Sequence, residues 1–280
     1  MKFTKMHGTG NDFVVIDNTN LKIHLNQQEV AALCDRHKGI GADGLILVEP
    51  SKTASVFMNY YNSDGTIAQM CGNGVRCLSR FVREKGIVSK DSFNVETRAG
   101  IIGITLLERH QQYSQIQVDM GRVSFNAANL PVEYKNKPEV MGEFTKFDGV
   151  TYQYGCASMG NPHMVVLVND LKEVPLEDMG AHYECHPMFP EKCNISFAQV
   201  LDENHIRMDT WERGAGKTLA CGTGTCSSVA VLHRLGKVGT EVEATLSGGV
   251  LKIVLKGNEV FMTGPAVSVF EGTISLEVNG

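Results

Sequence analysis

The sequence predicts an α+β fold of two pseudo-symmetric domains produced by an internal duplication. Two observations lead to this prediction: special residues recur at one offset of 150 positions along the 280-residue chain, and each half combines short strands with one strong helix. One offset shared by many glycines, asparagines and cysteines is typical of a repeated structural unit. The repeated patterns are Gly10-Asn11 with Gly160-Asn161, Met58 with Met208, Cys71-Gly72-x-Gly74 with Cys221-Gly222-x-Gly224, and Gly86 with Gly236.

Each half contains five segments with the composition of β-strands. The segments are short, rich in β-branched residues and bounded by Gly, Asn or Asp, as expected for strands separated by turns. In the first half they are FVVID, LILVE, VFMNYY, FNVET and IIGITLL, and in the second they are HMVVLV, ISFAQVL, HIRMDTW, EVEATL and LKIVL. A sheet is therefore predicted in each half.

One helix is predicted directly after each Cys-Gly motif. VRCLSRFVREK ends at Gly86 and TCSSVAVLHRL ends at Gly236. A glycine just past the last turn is the expected helix terminator, and apolar residues recur at helical spacing in both segments. A mostly apolar helix within a strand-rich half predicts a curled sheet around one central helix. We expect the two domains to face each other across a cleft, with both Cys-Gly motifs at it, because ligand sites tend to occur between domains.

The overall composition excludes several classes of function. The net charge is −5 and Lys and Arg are scattered singly, so the basic stripe of a nucleic-acid-binding protein is missing. No stretch approaches the roughly 20 apolar residues of a membrane span, and we expect a cytoplasmic protein with no membrane partner. Eight cysteines occur in a chain long enough to form its own core, which favours reduced thiols over disulfides.

A glycine-rich segment matches a nucleotide-binding fingerprint in letters but not in context. Residues 39–44, GIGADG, have the G-x-G-x-x-G spacing. That spacing binds a pyrophosphate only when it follows a strand and begins a helix. Here a helical segment, QQEVAALCDRH, precedes it and the strand LILVE follows. We therefore expect no nucleotide at this loop.

The remaining cysteines and histidines do not form a metal motif. No C-x₂-C knuckle with a matching second pair is present, so no metal site is predicted. The segment PLEDMGAHYECH is predicted to be helical, which puts His182 and His186 on an ordinary helix face. Cys34, Cys77 and Cys226 lie in apolar helical patterns, where a buried thiol behaves as a small hydrophobe.

Cys71 and Cys221 differ from the other cysteines because each lies in a glycine-rich turn immediately before a helix. A thiolate at a helix N-terminus is favoured by the helix dipole and by free N–H groups, which lowers the thiol pKa. The adjacent glycines allow backbone N–H groups to approach a ligand anion closely. A carboxylate held there would also be stabilised as it becomes enolate-like after loss of an α-proton. No pyridoxal phosphate or other cofactor is needed for such a reaction.

Two thiols on opposite faces of one carbon can invert that carbon. One thiolate removes the proton while the other thiol returns a proton from the far side, so the two pKa values must be held apart. The pattern therefore predicts a racemase or epimerase that uses Cys71 and Cys221. The alternative is that both are copies of a buried structural turn inherited through the duplication.

Five segments of the chain resemble the ordered signature motifs of the diaminopimelate epimerase family. They are KMHGTGNDFVVID, RHKGIGADG, YNSDG followed by QMCGNGVRC, SMGNPH, and WERGAGKTLACGTGTC, and they span residues 5–226. The related proline and hydroxyproline racemases share the cysteine pair. However, Asn73 and Arg76 after the first cysteine, together with SMGNPH and WERGAG, have the epimerase form.

This resemblance implies the activity and a role for each matching residue. The enzyme would interconvert LL- and meso-2,6-diaminopimelate in the biosynthesis of lysine and peptidoglycan precursors. Cys221 would remove the α-proton of the LL substrate and Cys71 would donate one. The remaining implied site residues are Gly72, Asn73, Gly222 and Thr223 for the reacting carboxylate, Asn11, Asn62, Asn161, Asn194, Glu212 and Arg213 for the substrate's distal end, and His163 and Glu212 for tuning the cysteine pKa values.

The resemblance also implies the architecture. Each domain would be a β-barrel-like sheet around a central helix, with the last strand of the chain returning to the first domain. The expected domains are residues 1–120 with 266–280, and residues 121–265. The family resemblance further implies a homodimer with a small-molecule substrate and no cofactor.

Position 44 departs from the family pattern. Many members carry an amide side chain where this chain has Gly44, whereas its repeat counterpart Asn194 keeps the amide. We therefore expect no side-chain contact with substrate from position 44.

Two other functions stay open on the residues alone. One is a proline- or hydroxyproline-type two-cysteine racemase, which would have no use for the Glu212-Arg213 pair because a ring substrate has no second amino-acid end. The other is a thiol redox or metal-binding protein, which would show no stereochemical activity.

Overall fold

The computed structural model describes residues 1–134 and 137–275. The chain forms two compact units, Met1–Asp119 with the segment from Thr263 onward, and Met120–Met262. The boundaries expected from the sequence, 120 and 265, lie within a few residues of these. Residues 276–280, which belong to the last expected segment, lie outside the described residues.

The first unit is a barrel of eight strands. Its strands are β1 (Lys2–Gly8), β2 (Asn11–Asp17), β3 (Gly44–Glu49), β4 (Val56–Asn62), β5 (Ser92–Thr97), β6 (Gly100–Arg109), β7 (Tyr113–Arg122) and β16 (Glu259–Thr273). They are hydrogen-bonded in this order, and β16 also pairs antiparallel with β1, which closes the barrel. The helices are α1 (Gln27–Cys34) and α2 (Gly72–Glu84).

The second unit repeats this arrangement. Its strands are β8 (Met141–Phe147), β9 (Val150–Ser158), β10 (Pro162–Leu167), β11 (Asn194–Asp202), β12 (His205–Glu212), β13 (Gly216–Thr218), β14 (Glu241–Leu246) and β15 (Gly249–Lys256). Its helices are α3 (Leu176–Glu184) and α4 (Gly222–Arg234). The parallel pairs β2–β3 and β4–β5 of the first unit correspond to β10–β11 and β12–β14 here. The predicted α+β duplication is confirmed.

Strand β2 shows why the sheet residues are almost continuously apolar. Phe13 to Ile16 are all buried because both faces of the strand are covered. On the outer face, Val14 and Ile16 pack in one cluster with residues of α1. On the inner face, the ring of Phe13 lies next to Gly74 of α2. An apolar run buried on two faces is typical of strands within a layered sheet.

Helix α2 is the predicted central helix of the first barrel. Every residue from 72 to 82 is buried, including the charged Arg76 and Arg80. Helix α4 is enclosed in the same way in the second unit, where it contacts β9, β10, β11 and β15. The prediction of one enclosed helix in each half is confirmed.

Both central helices begin earlier than the apolar pattern indicated. The structure has α2 starting at Gly72 and α4 at Gly222, so Cys71 and Cys221 are the N-cap residues. The pattern had placed the helical segments at residues 75 and 225, because the first turn of each contains glycine and polar residues. The helices end as predicted, and Gly86 and Gly236 have φ of 70° and 67°.

The glycine-rich loop of residues 39–44 ends α1 instead of beginning a helix. Backbone N–H groups of Gly39 and Ile40 donate to Asp35 and Leu33 carbonyls at the end of α1. A Cβ on Gly39 would lie 2.1 Å from the Ala32 carbonyl oxygen. The glycines therefore allow close packing against the helix end, and the loop lacks the helix N-terminus that holds a pyrophosphate.

The cysteines predicted to lie in the core are buried. Cys34, Cys77 and Cys226 are buried as predicted, and burial raises the pKa of Cys77 to about 12. Helix α3 ends at Glu184, so His186 lies just beyond the helix that was predicted to contain it. Among the described residues, no group of three or more His, Cys, Asp or Glu side chains could hold a metal ion. No helix in this part of the chain is long and apolar enough to cross a membrane.

Candidate active site

Cys71 begins α2 and contacts an amide from the neighbouring hairpin. Its backbone is extended, with φ of −140°, and the helix starts at the next residue. The thiol donates to Asn11 Oδ1, with Sγ and Oδ1 3.6 Å apart. Asn73, in the first turn of α2, donates from Nδ2 to the same oxygen over 3.3 Å. The structure thus brings together three of the residues predicted from the sequence.

A tight turn between β1 and β2 positions Asn11. Gly8 pairs with Asn11, so only Thr9 and Gly10 form the loop, with φ of 51° and 84°. Two successive positive φ values are the geometry of a type I′ hairpin turn, which costs little at glycine but about 1 kcal/mol or more at threonine. The Thr9 hydroxyl accepts from Arg76 over 3.2 Å. This bond offsets part of that cost and ties the turn to α2.

Asn62 and Gly44 lie opposite each other in the β3–β4 pair. Asn62 Nδ2 donates to Thr66 Oγ1 over 3.0 Å. A Cβ on Gly44 would lie 2.7 Å from the ring of Tyr60 and 2.7 Å from the Tyr61 carbonyl oxygen. The Tyr60 ring therefore fills the space in which a side chain at position 44 would begin.

We expect Gly44→Ala to lower the free energy of unfolding by about 1–3 kcal/mol, because the methyl group would overlap a backbone oxygen that cannot move freely. Urea denaturation measures the change. Gly103→Ala in β6 is the matched control, since its nearest neighbour would be 3.4 Å away, and it should shift stability by less than about 0.5 kcal/mol. Equal stability of the Gly44→Ala variant and the wild type would contradict the steric argument.

The Cys221 sulfur lies close to two groups that can donate hydrogen bonds. It is 5% exposed, and Sγ accepts the Gly224 backbone N–H over 3.4 Å. The Thr223 hydroxyl lies 3.6 Å from the same sulfur. A Cβ on Gly224 would lie 3.2 Å from Sγ, so glycine leaves room for the sulfur at the first turn. These donors favour the thiolate form.

Burial nevertheless dominates the electrostatics of Cys221. Burial raises the pKa of the thiol well above its ordinary range, and the nearby Glu212 carboxylate raises it further. The helix N-terminus alone had predicted a lowered pKa, and for Cys221 that prediction is wrong because desolvation of the thiolate outweighs the donors. Burial also raises the pKa of Glu212, against hydrogen bonds from Thr218 and Cys221. Cys221 and Glu212 are therefore two acids in direct contact.

His163 is fully buried beside these groups. Its Nε2 lies 3.2 Å from Asn161 Oδ1 and 3.1 Å from Thr223 Oγ1. Burial, assisted by the charge of Arg213, lowers its pKa to about 3. The imidazole is therefore neutral near pH 7. It can influence Cys221 through its hydrogen bond to Thr223, and not through a positive charge.

The buried neutral imidazole predicts acid lability. Below pH 6.5 the unfolded chain binds a proton at His163, whereas the folded chain does not until about pH 3. The folded pKa is depressed, so stability is lost as pH falls through this window, by about 1.4 kcal/mol per unit. Between pH 7.5 and 5.0, His163→Gln should reduce the loss of unfolding free energy by about 2 kcal/mol.

Urea denaturation at several pH values measures this effect. The exposed His24→Gln variant is the control and should retain the wild-type pH dependence. If His163→Gln showed the same slope as the wild type, the histidine would not be the group that takes up the proton on unfolding.

The other predicted polar residues of the second unit mainly contact protein atoms. Asn161 Nδ2 donates to Thr223 Oγ1 over 3.3 Å, which joins Asn161 to His163 and Thr223 in one cluster. Asn194 is buried, donates to the Pro162 carbonyl and accepts from the Arg213 backbone N–H. The Arg213 side chain donates to the Glu191 carbonyl over 2.9 Å. Asn194 therefore also serves to tie β10, β11 and the end of β12 together.

Sequence reasoning missed several residues that support the site. Thr9, Asp43 and Thr218 contact Asn73, Asn11 and Glu212 respectively. Asp43 stands in the GIGADG segment, so its place in a recognised motif was a usable signal. The hydroxyls of Thr9 and Thr218 carried no signal, because threonine is common in turns and strands.

Comparison with known proteins identifies the family. A model of the diaminopimelate epimerase family matches residues 3–126 and 155–269. The diaminopimelate epimerase of Methanococcus maripaludis strain C5 is 42% identical over 279 residues, covering 99% of this chain and 100% of the relative. That of Stutzerimonas stutzeri is 41% identical over 280 residues, covering 99% of both chains.

Solved structures show a shared fold at low identity. A hydroxyproline epimerase from Agrobacterium vitis superposes with a TM-score of 0.72 at 15% identity, covering 100% of this chain and 92% of that one. A PhzF-family phenazine biosynthesis protein from Bacillus anthracis superposes with a TM-score of 0.67 at 16% identity, covering 99% of both chains. These structures show the fold, and the family model and the full-length sequence matches show that the chain belongs to the diaminopimelate epimerase family.

Proposed function

We propose that this protein is a diaminopimelate epimerase that interconverts LL- and meso-2,6-diaminopimelate without a cofactor. The observation that carries the proposal is the full-length identity of 42% to a diaminopimelate epimerase, in a chain whose Cys71 and Cys221 cap equivalent helices of a duplicated fold. A cysteine at each of two equivalent helix starts supplies one base and one acid. This is the minimum required to invert a carbon by proton transfer.

In the LL-to-meso direction, the Cys221 thiolate removes the α-proton and becomes a thiol. The electron pair of the broken C–H bond is delocalised into the substrate carboxylate. The Cys71 thiol then gives its proton to the opposite face of the carbon and becomes a thiolate. The reverse direction uses the same groups with their roles exchanged, so no proton or electron is gained overall.

The backbone at the two helix starts stabilises the developing charge. The N–H groups of Gly72 and Asn73, and of Gly222 and Thr223, lie in the first turns of α2 and α4, where backbone N–H groups point out of the helix end. Such groups bind anions and stabilise an enolate-like carboxylate more strongly than the starting carboxylate. They supply the electron sink that a cofactor provides in other amino-acid epimerases.

Glu212 accounts for how a buried Cys221 becomes a base. The Cys221 thiol is in contact with Glu212, and burial raises the pKa of that carboxyl group. The two groups share one proton: when it lies on Glu212, Cys221 is a thiolate flanked by the Thr223 hydroxyl and the Gly224 N–H. A thiolate beside a neutral carboxyl group avoids the repulsion between two negative charges.

The distal amino-acid end of the substrate is assigned to Asn11, Asn62, Asn161, Asn194, Glu212 and Arg213. Amides, a carboxylate and a guanidinium together match an ammonium and a carboxylate on one carbon. Family membership supports the remaining parts of the proposal: epimerase halves of residues 1–120 with 266–280 and 121–265, a cytoplasmic location, and a homodimer. Light scattering on the purified protein measures the oligomeric state.

Proton NMR of LL-diaminopimelate in deuterated water tests the function. With reduced protein, the α-proton signal should disappear and the meso form should appear, while proline as a control substrate stays unchanged. Exchange of the α-proton of proline but not of diaminopimelate would overturn the proposed substrate and would be consistent with the two-thiol mechanism. Exchange of neither, with zinc or a disulfide-exchange activity in the protein, would replace the proposal with the metal or redox alternative.

A further inference from the structure

Asp43 stands at one end of a chain of hydrogen bonds that leads to Cys71. Asn11 donates from Nδ2 to Asp43 Oδ2 over 2.8 Å. The other end of the Asn11 amide, Oδ1, accepts from Asn73 and faces the Cys71 thiol. An amide has one donor end and one acceptor end, so the group that fixes one end also decides which end the cysteine meets.

The two ends of the chain define its direction. An ionised carboxylate can only accept hydrogen bonds, and a guanidinium can only donate them. Asp43 therefore requires the NH₂ of Asn11, while Arg76 donates to Asn73 Oδ1 over 2.9 Å and requires the Asn73 amide oxygen. With both amides oriented, Asn11 presents an oxygen, not an NH₂ group, to Cys71.

Asp43 is itself held by several donors. Arg36 donates to Asp43 Oδ1 over 2.6 Å, and the Asp12 backbone N–H donates to Oδ2 over 3.1 Å. Arg36 also forms two hydrogen bonds to the Asp12 carboxylate, which Lys5 pairs with at 2.7 Å. Burial opposes ionisation of Asp12, but Arg36 and Lys5 hold its pKa well below its usual range. Arg36 and the Asp12 backbone N–H therefore hold the Asp43 carboxylate in place.

We propose that Asp43 is a positioning residue that sets the protonation state of Cys71 and the orientation of its thiol. By turning the Asn11 oxygen toward Sγ, it favours the thiol, which can donate to that oxygen, over the thiolate, which cannot. The Cys221 sulfur accepts the Gly224 backbone N–H and lies 3.6 Å from the Thr223 hydroxyl. In the LL-to-meso direction, in which Cys71 donates the proton, this arrangement keeps Cys71 in the thiol form that acts as the acid. The inference rests on the proposed function for its catalytic meaning.

The test replaces Asp43 with asparagine, which has nearly the same shape but can both donate and accept. In Asp43→Asn, the Asn11 amide loses its obligate acceptor and is held in this orientation only by the Asn73 hydrogen bond. The fraction of Asn11 that turns and presents NH₂ to Cys71 therefore rises, which favours the thiolate. We expect the rate of Cys71 alkylation by iodoacetamide near pH 7 to rise about threefold or more, since the thiolate is the reactive form. Epimerase activity should fall about tenfold or more in both directions, because the Cys71 thiol is no longer held in one orientation.

Peptide mapping makes the alkylation measurement specific. Trypsin cleaves after Arg76, so Cys71 and Cys77 fall in different peptides. Asp91→Asn is the matched control, because Asp91 is paired with Arg83 and Arg109 in the same unit and does not contact Asn11. This control should leave both the alkylation rate and the activity unchanged.

A double substitution shows whether Asp43 acts through Asn11. Combined with Asn11→Ala, Asp43→Asn should cause no further loss, because the amide it orients is gone. Two outcomes would overturn the inference and leave Asp43 with a structural role only. One is a double variant whose loss of activity is the sum of the two single losses, expressed as free energies. The other is a lower activity of Asp43→Asn with an unchanged rate of Cys71 alkylation. Alkylation does not require turnover, so the inference is tested even if the wild type fails to epimerise diaminopimelate.

Discussion

Replacement of either Cys71 or Cys221 by alanine is expected to reduce epimerisation of diaminopimelate by about 10²–10⁴-fold or more. Each thiol carries one of the two proton transfers, and loss of a positioned acid or base typically costs this much. The Cys71→Ala variant keeps the proposed base for the LL substrate. It should therefore still exchange the α-proton of LL-diaminopimelate for deuterium, slowly and without inversion, while Cys221→Ala should not.

Proton NMR and mass spectrometry separate these two results, since exchange changes the mass and inversion changes the diastereomer. Cys185→Ala is the control, because Cys185 is the exposed cysteine among the eight. It should keep wild-type activity. Inversion at the wild-type rate by either single variant would exclude a mechanism with two thiols and point to another acid or base.

Replacement of Arg76 by methionine is expected to lower the free energy of unfolding by about 3–5 kcal/mol, the cost of breaking a buried charged network. Arg76 is among the largest fully buried side chains. Its guanidinium donates to the carbonyl oxygens of Gly72 and Pro265 and to the side chains of Thr9 and Asn73. Methionine fills similar volume but removes these four hydrogen bonds inside the barrel.

Urea denaturation monitored by circular dichroism measures the loss. Arg109→Met is the control, because Arg109 is 51% exposed in its ion pair with Asp91 and should contribute less than about 1 kcal/mol. Activity should fall with stability in Arg76→Met, since Thr9 and Asn73 border the residues that contact Cys71. If Arg76→Met were as stable as the wild type, water would have to enter the barrel and replace the hydrogen bonds of the guanidinium.

The internal repeat made the fold and the two cysteines predictable. Ten strands and both central helices were recognisable because their patterns are local: β-branched runs bounded by turn residues, and apolar helical spacing ended by glycine. The strands that were missed are β1, β7, β8, β9 and β13, while the last strand, β16, was expected only from the family resemblance. Several of these alternate with polar residues or contain glycines, and β1 and β16 become neighbours only because the chain's two ends pair.

The residues assigned to the candidate site stay a prediction, and their electrostatics could not be predicted from the sequence. The helix start at Cys221 indicated an acidic thiol, yet burial reverses the direction of the shift. The resemblance implied that His163 tunes a cysteine pKa, and burial makes its imidazole neutral near pH 7. A pKa depends on how much solvent and which charges surround a group, and neither quantity is encoded by nearby residues in the sequence.

The sequence by itself determined the duplication, the helix starts that carry Cys71 and Cys221, and the family, because these depend on residue types at set spacings. Only the tertiary structure decided that Arg76 is buried in a barrel, that Tyr60 occupies the space beside Gly44, and that Asp43 orients Asn11. Each of these depends on contacts between segments distant along the chain. Hydrogen-bond direction and desolvation exist only once those segments are packed together.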